Sequence, residues 1–493
     1  YIKLFMFCFL KYLLKIKFYY KIIQIKKGIL KMSYSKLIIK NFGKIKEAEI
    51  ELSNFILFIG DNNSGKSYLM TLIYGLIKYN NNIANIMLQD KEFIYSLEEY
   101  KKIKDIVDKY ININDIEIKN NSFILDSFLI YKNADKQFNL LKKNEVDLFY
   151  ELLNKLLNKY KTEILKFIFN DNDNLINLDT IYFDYSNYLF NIFIAKEFIF
   201  INKLDCISQL DIDKDDNIDY IFIIRNIISN LLENNFYSLG LKFLPTSRTG
   251  FLLTYKELSK ISNMQQFSIG EKKEKTLFQK PIIDFINSLI GLSYNYKEND
   301  NYKDVIEILE NNIFKGKINL NEETNAMYYQ PNNSDLKVPM HLCSAVITEA
   351  APLYLFLKYK NEVGSLFIEE PELSLHLKLQ KQIACVLINL VNKKRNIIIS
   401  THSDTILEHI NNMAVLHSIK DENKKNQIMK EYSYTENDII DIEKVRIYQF
   451  DTDDNDITAI KELKGGRETG FYIETFHKYI NNASLEYDAI NEG

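Results

Sequence analysis

Phe55-Ile56-Leu57-Phe58-Ile59-Gly60-Asp61-Asn62-Asn63-Ser64-Gly65-Lys66-Ser67 is the stretch on which the reading of this chain turns. Its first five residues are a short continuous apolar run, the pattern of a strand buried on both faces of a parallel sheet. Residues 60–67 match GxxxxGK[ST], and residues 67–78 carry Leu69, Leu72, Ile73 and Leu76 at helical spacing. Strand, glycine-rich loop and helix in that order form a phosphate cradle. Gly60 and Gly65 let the backbone of Asp61, Asn62, Asn63 and Ser64 curl so that successive N–H groups point at phosphate oxygens. Lys66 is expected to reach the β- and γ-phosphates, and the Ser67 hydroxyl to ligate Mg²⁺. The cofactor expectation is therefore ATP with Mg²⁺.

Working outward, Leu37, Ile39 and residues 45–52 alternate as strands do, with a turn at Asn41-Phe42-Gly43. Far downstream, Leu366-Phe367-Ile368 is a second buried run that delivers Glu369 and Glu370 at its end, ahead of Pro371-Glu372-Leu373-Ser374-Leu375-His376. Ligands of open α/β sheets bind at that edge. Glu369 is expected to hold Mg²⁺ through its water shell, and Glu370 to polarise the attacking water. A third run, Ile397-Ile398-Ile399-Ser400, ends in Thr401-His402-Ser403-Asp404, and a histidine there can hydrogen-bond a γ-phosphate and sense its loss. Between them, His341-Leu342-Cys343-Ser344-Ala345 opens a helix that runs toward Lys358, with Ser344 as its N-cap.

These four blocks together resemble the ABC-type ATPases of the RecF, SMC and OLD group. They look most like the stand-alone bacterial AAA-family ATPases called AAA_15, several of which serve phage defence, including the ATPase component of PARIS systems. The resemblance covers residues 32–80 and about 242–472. It implies an α/β P-loop NTPase of ABC type: a mixed sheet with flanking helices and an N-terminal antiparallel β subdomain, interrupted by a mainly helical insertion. It also implies that Ser344 and Ala345 stand in the signature segment, which contacts the γ-phosphate bound to the other subunit. By the same resemblance residues 373–376 are the D-loop, His402 is the switch histidine, and the protein is a homodimer with ATP sandwiched between heads. Leu244-Pro245-Thr246-Ser247-Arg248-Thr249-Gly250 looks like a segment shared by the group. Arg248 is then a candidate polar contact near the nucleotide, or else part of a surface turn capped by Gly250. Gln89 is a candidate for the Q-loop glutamine. Two departures point to slow turnover: Glu369 stands where many relatives have Asp, and the signature segment lacks the usual glycines.

The 493 residues are 46% hydrophobic and 26% charged with 15 Gly and 6 Pro, which supplies a large core and excludes collagen-like and proline-rich architectures. A formal net charge of -4 gives no global footprint for nucleic acid, so DNA is a possible partner only through a local basic patch. Cys8, Cys206, Cys343 and Cys385 include no close pair, which excludes a CxxC site and argues for a reducing, cytoplasmic compartment. Residues 1–31 carry eight lysines and no acid. They are expected to be non-native upstream translation, because Lys26-Lys27-Gly28 would be encoded by a purine-rich run like a ribosome-binding site ahead of Met32. No apolar run there approaches the roughly 18 residues of a membrane span, and no membrane partner is expected.

The head is expected to comprise residues 32–79 and 241–472, with an insertion at 80–240 and a tail at 473–493. Within the insertion, Phe149, Leu153, Leu156, Tyr160, Ile164 and Phe167 are spaced as one amphipathic helix, without sustained heptads. That insertion is where a partner or trigger would be recognised. Near the C-terminus, Asp451-Thr452-Asp453-Asp454-Asn455-Asp456 follows a strand-like run; it lacks the glycine of an EF-hand and the surroundings of a Toprim nuclease, and reads as a polar hairpin turn. No nuclease activity is expected, so an effector would be a separate protein. The chain thus reads as a dimeric ATP-driven switch, a phage-defence sensor controlling that effector; the alternative is a DNA-maintenance ATPase that clamps duplex DNA.

Overall fold

The computed structural model describes residues 34–112, 139–171, 173–185, 190–194, 198–203, 206–211, 219–233, 236, 240–267, 278–293, 299–359, 363–471 and 490. Residues 1–31, with their upstream reading, lie outside the described residues, as does all of the proposed tail at 473–493 but residue 490. No helix among the described residues is long and apolar enough to cross a membrane.

A nine-stranded sheet organises the head. In chain order its strands are β1 Lys36–Phe42, β2 Ile45–Glu51, β3 Phe55–Gly60, β4 Thr180–Asp184, β5 Lys242–Leu244, β6 Leu366–Glu369, β7 Ile397–Ser400, β8 Val445–Thr452 and β9 Thr458–Leu463. In space they run β4-β1-β2-β9-β8-β3-β7-β6-β5. From β8 to β5 all neighbours are parallel, whereas β1 with β2 and β8 with β9 are antiparallel. This is the mixed sheet with an N-terminal antiparallel pair that the resemblance implies. The β8–β9 turn is the expected polar hairpin: the Asp453 carboxylate accepts from the N–H groups of Asn455 at 3.0 Å and Ile457 at 2.9 Å.

Five helices matter for the site: α1 Lys66–Lys78, α2 Arg248–Phe267, α3 Ala345–Tyr359, α4 Leu377–Asn392 and α5 Asp404–Ser418. Strand periodicity sends alternate side chains to opposite faces. Leu366 and Ile368 enter a core with Tyr354 of α3, Leu387 of α4 and Ile410 of α5. Phe367 turns the other way, edge-on to Tyr74 of α1 at 5.4 Å between ring centroids. Helices therefore cover both faces, which is why residues 55–59 of β3, 366–368 of β6 and 397–399 of β7 are continuous apolar runs rather than alternating. The register sets Glu369 opposite Ser400 and Ser400 opposite Phe58, so the three strands deliver their loops at one edge.

The chain divides into two compact units. One draws on Ala84–Lys159 and Phe183–Asn235, the other on Lys36–Ile83, Tyr160–Tyr182 and Phe236–Gly493. The first is helix-rich, with Phe149, Leu153 and Leu156 buried on helix Lys143–Lys159 and Ile224, Ile227 and Leu231 on helix Tyr220–Glu233. It also holds an antiparallel four-stranded sheet of Asn139–Leu140, Phe190–Ile194, Phe198–Lys203 and Cys206–Asp211, which the sequence pattern did not disclose.

Two expectations change. The periodic run from Phe149 to Phe167 is not one helix: it breaks at Tyr160, and Lys161–Phe169 is a separate helix of the head unit. Residues 160–182 likewise belong with the head rather than with the insertion. Packing explains this. Phe169 lies on Phe42 and Tyr68, and Phe167 meets Tyr79 edge-on at 5.3 Å. Helix α1 is consequently buried nearly all round, not on one face only.

Candidate functional site

Gly60 ends β3 with φ 120°, and a Cβ on it would stand 2.1 Å from the carbonyl oxygen of Phe450 in β8. Gly65, at φ 94°, is the N-cap residue of α1. Both positions need glycine, so the loop's backbone path is written into the pattern. No side chain caps α1 and its first turn carries no acid, which leaves the positive end of the helix and its first N–H groups for an anionic ligand. Lys66 folds back over the loop, donating to the carbonyl oxygens of Gly60 at 3.0 Å and Asp61 at 2.5 Å and to Ser64 Oγ at 3.3 Å. Burial lowers its ammonium to about 8, against the pull of Asp61, Glu370 and Glu372. A cation held, among the described residues, by carbonyls and a hydroxyl, beside a helix start that carries no acid and no side-chain cap, fits an anionic phosphate chain.

The acids stand across from it. The carboxylate of Glu369, 7% exposed at the end of β6, accepts from the N–H of Thr246 at 3.1 Å, with the Ser67 hydroxyl near enough to favour its charged form. Burial pushes this carboxyl up, and those two donors oppose the shift. Ser67 and Glu369, the two residues expected at Mg²⁺, thus lie near each other. One hydroxyl and one carboxylate, with phosphates and water to complete the shell, is the kind of donor set Mg²⁺ accepts. Glu370 is half-buried with φ 43°, and its N–H donates to the Ser400 carbonyl at 2.9 Å.

Glu372, the third acid of the block, is a functional candidate the sequence reading passed over. Its Oε1 accepts from the His402 N–H at 2.6 Å, while Oε2 is buried without a partner among the described residues. Burial raises this carboxyl as well. It holds the backbone of His402, whose ring burial and nearby Lys66 depress. Ser403 then caps α5, its Oγ accepting from the Ile406 N–H at 3.0 Å. Lys66, Ser67, Glu369, Glu370, Glu372 and His402 are therefore brought to one edge of the sheet.

Ser344 and Ala345 are placed differently, exposed at the start of α3, where the Ser344 carbonyl accepts from Ile347 and Thr348. Gln89 is exposed in the bend after helix Asn80–Met87 and belongs to the other unit. Arg248 is not on a surface turn: it is 3% exposed, and its partners are protein groups at the acids' backbone. A second candidate missed is Glu349, an acid on a helix whose residues from Ile347 to Tyr359 are all buried. A carboxylate among so many apolar neighbours is itself the signal, because a buried charge requires a partner.

Comparison with known proteins adds a family. The profile described as AAA ATPase domain, AAA_15, matches residues 32–407. No curated protein matches the chain. Among solved structures the chain is similar to an SMC head domain from Thermotoga maritima, at 10% identity over 88% of this chain and 100% of that one, with a TM-score of 0.31. It is also similar to an Smc head domain with an extended coiled coil bound to the C-terminal domain of ScpA, derived from Pyrococcus furiosus, at 12% identity over 92% and 100% with a TM-score of 0.34.

Proposed function

The chain belongs to the AAA ATPase domain family, and from that premise we propose that it binds ATP with Mg²⁺ and hydrolyses it as a dimeric, nucleotide-driven switch. The observation that carries this reading is the uncapped start of α1, with Lys66 folded over the loop carbonyls, at the same sheet edge to which β6 and β7 deliver Glu369, Glu370 and His402. Residues 60–67 cradle the phosphates, with Lys66 exchanging the loop carbonyls for β- and γ-phosphate oxygens. Ser67 and Glu369 would hold Mg²⁺, which when bound would supply charge neutralisation at the phosphates. Glu370 orients the attacking water and accepts its proton, and His402 hydrogen-bonds the γ-phosphate. The exposure of Ser344 and Ala345 supports a role for them on the nucleotide of a second copy. Closing and opening of the paired heads would then report the nucleotide state to a separate effector protein, as in phage defence, with the insertion unit recognising the trigger.

The deciding experiment is steady-state ATP turnover by the chain started at Met32, with and without duplex DNA, using Glu370→Gln as the blank. Turnover above that blank and indifferent to DNA is expected. Stimulation by DNA would replace the sensor reading with a DNA-clamping ATPase. Lys66→Ala should abolish nucleotide binding, and unchanged affinity would remove the phosphate-loop assignment.

A further inference from the structure

Arg248 stands among the motifs without making any of the contacts they call for. Its guanidinium is buried and forks across the backbone that carries the acids: Nη1 donates to the Glu369 carbonyl at 2.6 Å and to the Pro245 carbonyl at 3.1 Å, and Nη2 to the Glu370 carbonyl at 3.0 Å. The rear of the fork is fixed by α3. Nε donates to the Glu349 carbonyl at 2.9 Å and lies 3.3 Å from Glu349 Oε2. The same carboxylate accepts from the N–H groups of Arg248 at 3.1 Å and Thr249 at 3.0 Å, and so also holds the start of α2.

What this fork holds is a strained segment. Glu370 has φ 43°, in the left-handed region that a long side chain rarely occupies without being over-determined by its surroundings. Two hydrogen bonds flank that residue's peptide units, Ser400 accepting from its N–H and Arg248 donating to its carbonyl. With both ends fixed, the direction of the Glu370 Cα–Cβ bond is fixed too. A planar, five-donor guanidinium spans the carbonyls of Pro245, Glu369, Glu370 and Glu349 from three separate nitrogens in one fixed fork; a lysine in its place would offer three donors on a single nitrogen and could not span all four.

We infer that Arg248, anchored by Glu349, is a positioning residue for hydrolysis: it holds the backbone of Glu369 and Glu370 so that the Glu370 carboxylate is aimed at the attacking water. The inference rests on the ATPase reading above. It has a structural corollary, since Glu349 lies on the helix that Ser344 and Ala345 open. The acids of one site are tied to the helix that would engage the other.

The test measures kcat, KM and the Kd of a fluorescent ATP analogue on the full chain for wild type, Arg248→Lys, Arg248→Ala and Glu349→Gln. In Arg248→Lys, kcat should fall about 10–100-fold with KM and Kd held within about twofold, because misplacing a group by an ångström costs rate rather than binding. Millimolar guanidinium should return part of the lost kcat to Arg248→Ala by refilling the fork. Glu349→Gln, which keeps the shape of the anchor, should show a smaller loss of kcat and serves if Arg248→Ala does not fold. Unchanged kcat in Arg248→Lys would overturn the inference. So would a rise in KM and Kd that accounts for the lost efficiency, which would make Arg248 a nucleotide contact. A wild type that neither binds nor turns over ATP would remove the ATPase reading itself, a result distinct from an active wild type with an indifferent Arg248→Lys.

Discussion

Cys385 on α4 and His409 on α5 meet in the core of the head, Sγ to Nε2 at 3.1 Å, both nearly inaccessible. Burial pushes the thiol up to about 12 and the imidazole down to about 4, with Lys381 adding to the histidine's shift and Asp438 opposing it. The thiol is thereby inert, and the histidine becomes an acid-labile point in the fold. Its folded pKa lies below the unfolded value, so its contribution is complete above the unfolded pKa of about 6.5 and is lost as pH falls toward about 4. The loss amounts to roughly 3 kcal/mol over that window. Buried carboxyls such as Glu372 shift with the opposite sign, so the comparison that isolates the histidine is wild type against His409→Leu. Urea unfolding between pH 7.5 and 4.5 should show the wild type losing more stability than the variant on acidification. Parallel curves would mean that His409 titrates freely. At this scale the sequence disclosed residues whose chemistry is local. Lys66 and Ser67 are defined by neighbours within the same loop, and Glu369 and Glu370 by the strand they end. Arg248 was noticed with a surface turn left open as the alternative, because what fixes it is a pair of carbonyls more than a hundred residues away, and any residue type offers a carbonyl.

Among elements, α1, which starts at the loop's last turn, packs against helix Lys161–Phe169. Gly75 is the closest approach: a Cβ there would fall 2.6 Å from three atoms of the Ile168 side chain. Gly75→Ala gains up to about 1 kcal/mol of helix propensity and loses about 1–3 kcal/mol to overpacking, so a net destabilisation is expected. The mechanism makes a sharper demand. Ile168→Ala alone should cost about 2–5 kcal/mol by opening a cavity, yet the double variant should lose less than the sum by about 1 kcal/mol, because the new methyl occupies vacated space. Strict additivity in chemical denaturation would show that the two helices are not in this contact. The same pair explains why the sequence misled about the insertion. An apolar spacing of three and four runs straight through Tyr160 and says nothing about a change of partner there. Periodicity reports which face is buried and is silent on what covers it. The head strands β3, β6 and β7 were legible for the complementary reason: a strand covered on both faces has no alternation to confuse, only an apolar run with a functional loop at its end.

For the whole molecule the open question is whether one chain is the working unit. The edge of the sheet assembles phosphate loop, acids and histidine from a single chain, while Ser344 and Ala345 are exposed at the mouth of α3 with Leu342 beside them 68% exposed. Leu377, opening α4 directly after residues 373–376, is 61% exposed. Large apolar side chains in such places suit a surface that is covered in one nucleotide state. If two copies close over ATP, linkage requires that ATP tighten the dimer by the factor by which dimerisation tightens ATP. Glu370→Gln, which should bind without hydrolysing, is the form in which to read this. Its mass by light scattering should double on adding ATP and Mg²⁺ but not ADP, and its apparent ATP affinity should rise with protein concentration. Adding Ser344→Arg, a bulky charge at an exposed helix start, should return the monomer and abolish the concentration dependence. The ATP affinity of that monomer should stay within about twofold of the dilute Glu370→Gln value, since its own phosphate loop is untouched. A Glu370→Gln protein that stays monomeric at saturating ATP, or is equally dimeric without it, would refute the closed pair. In either case the exposed Ser344 would need another explanation, and the Arg248–Glu349 link would serve its own site alone.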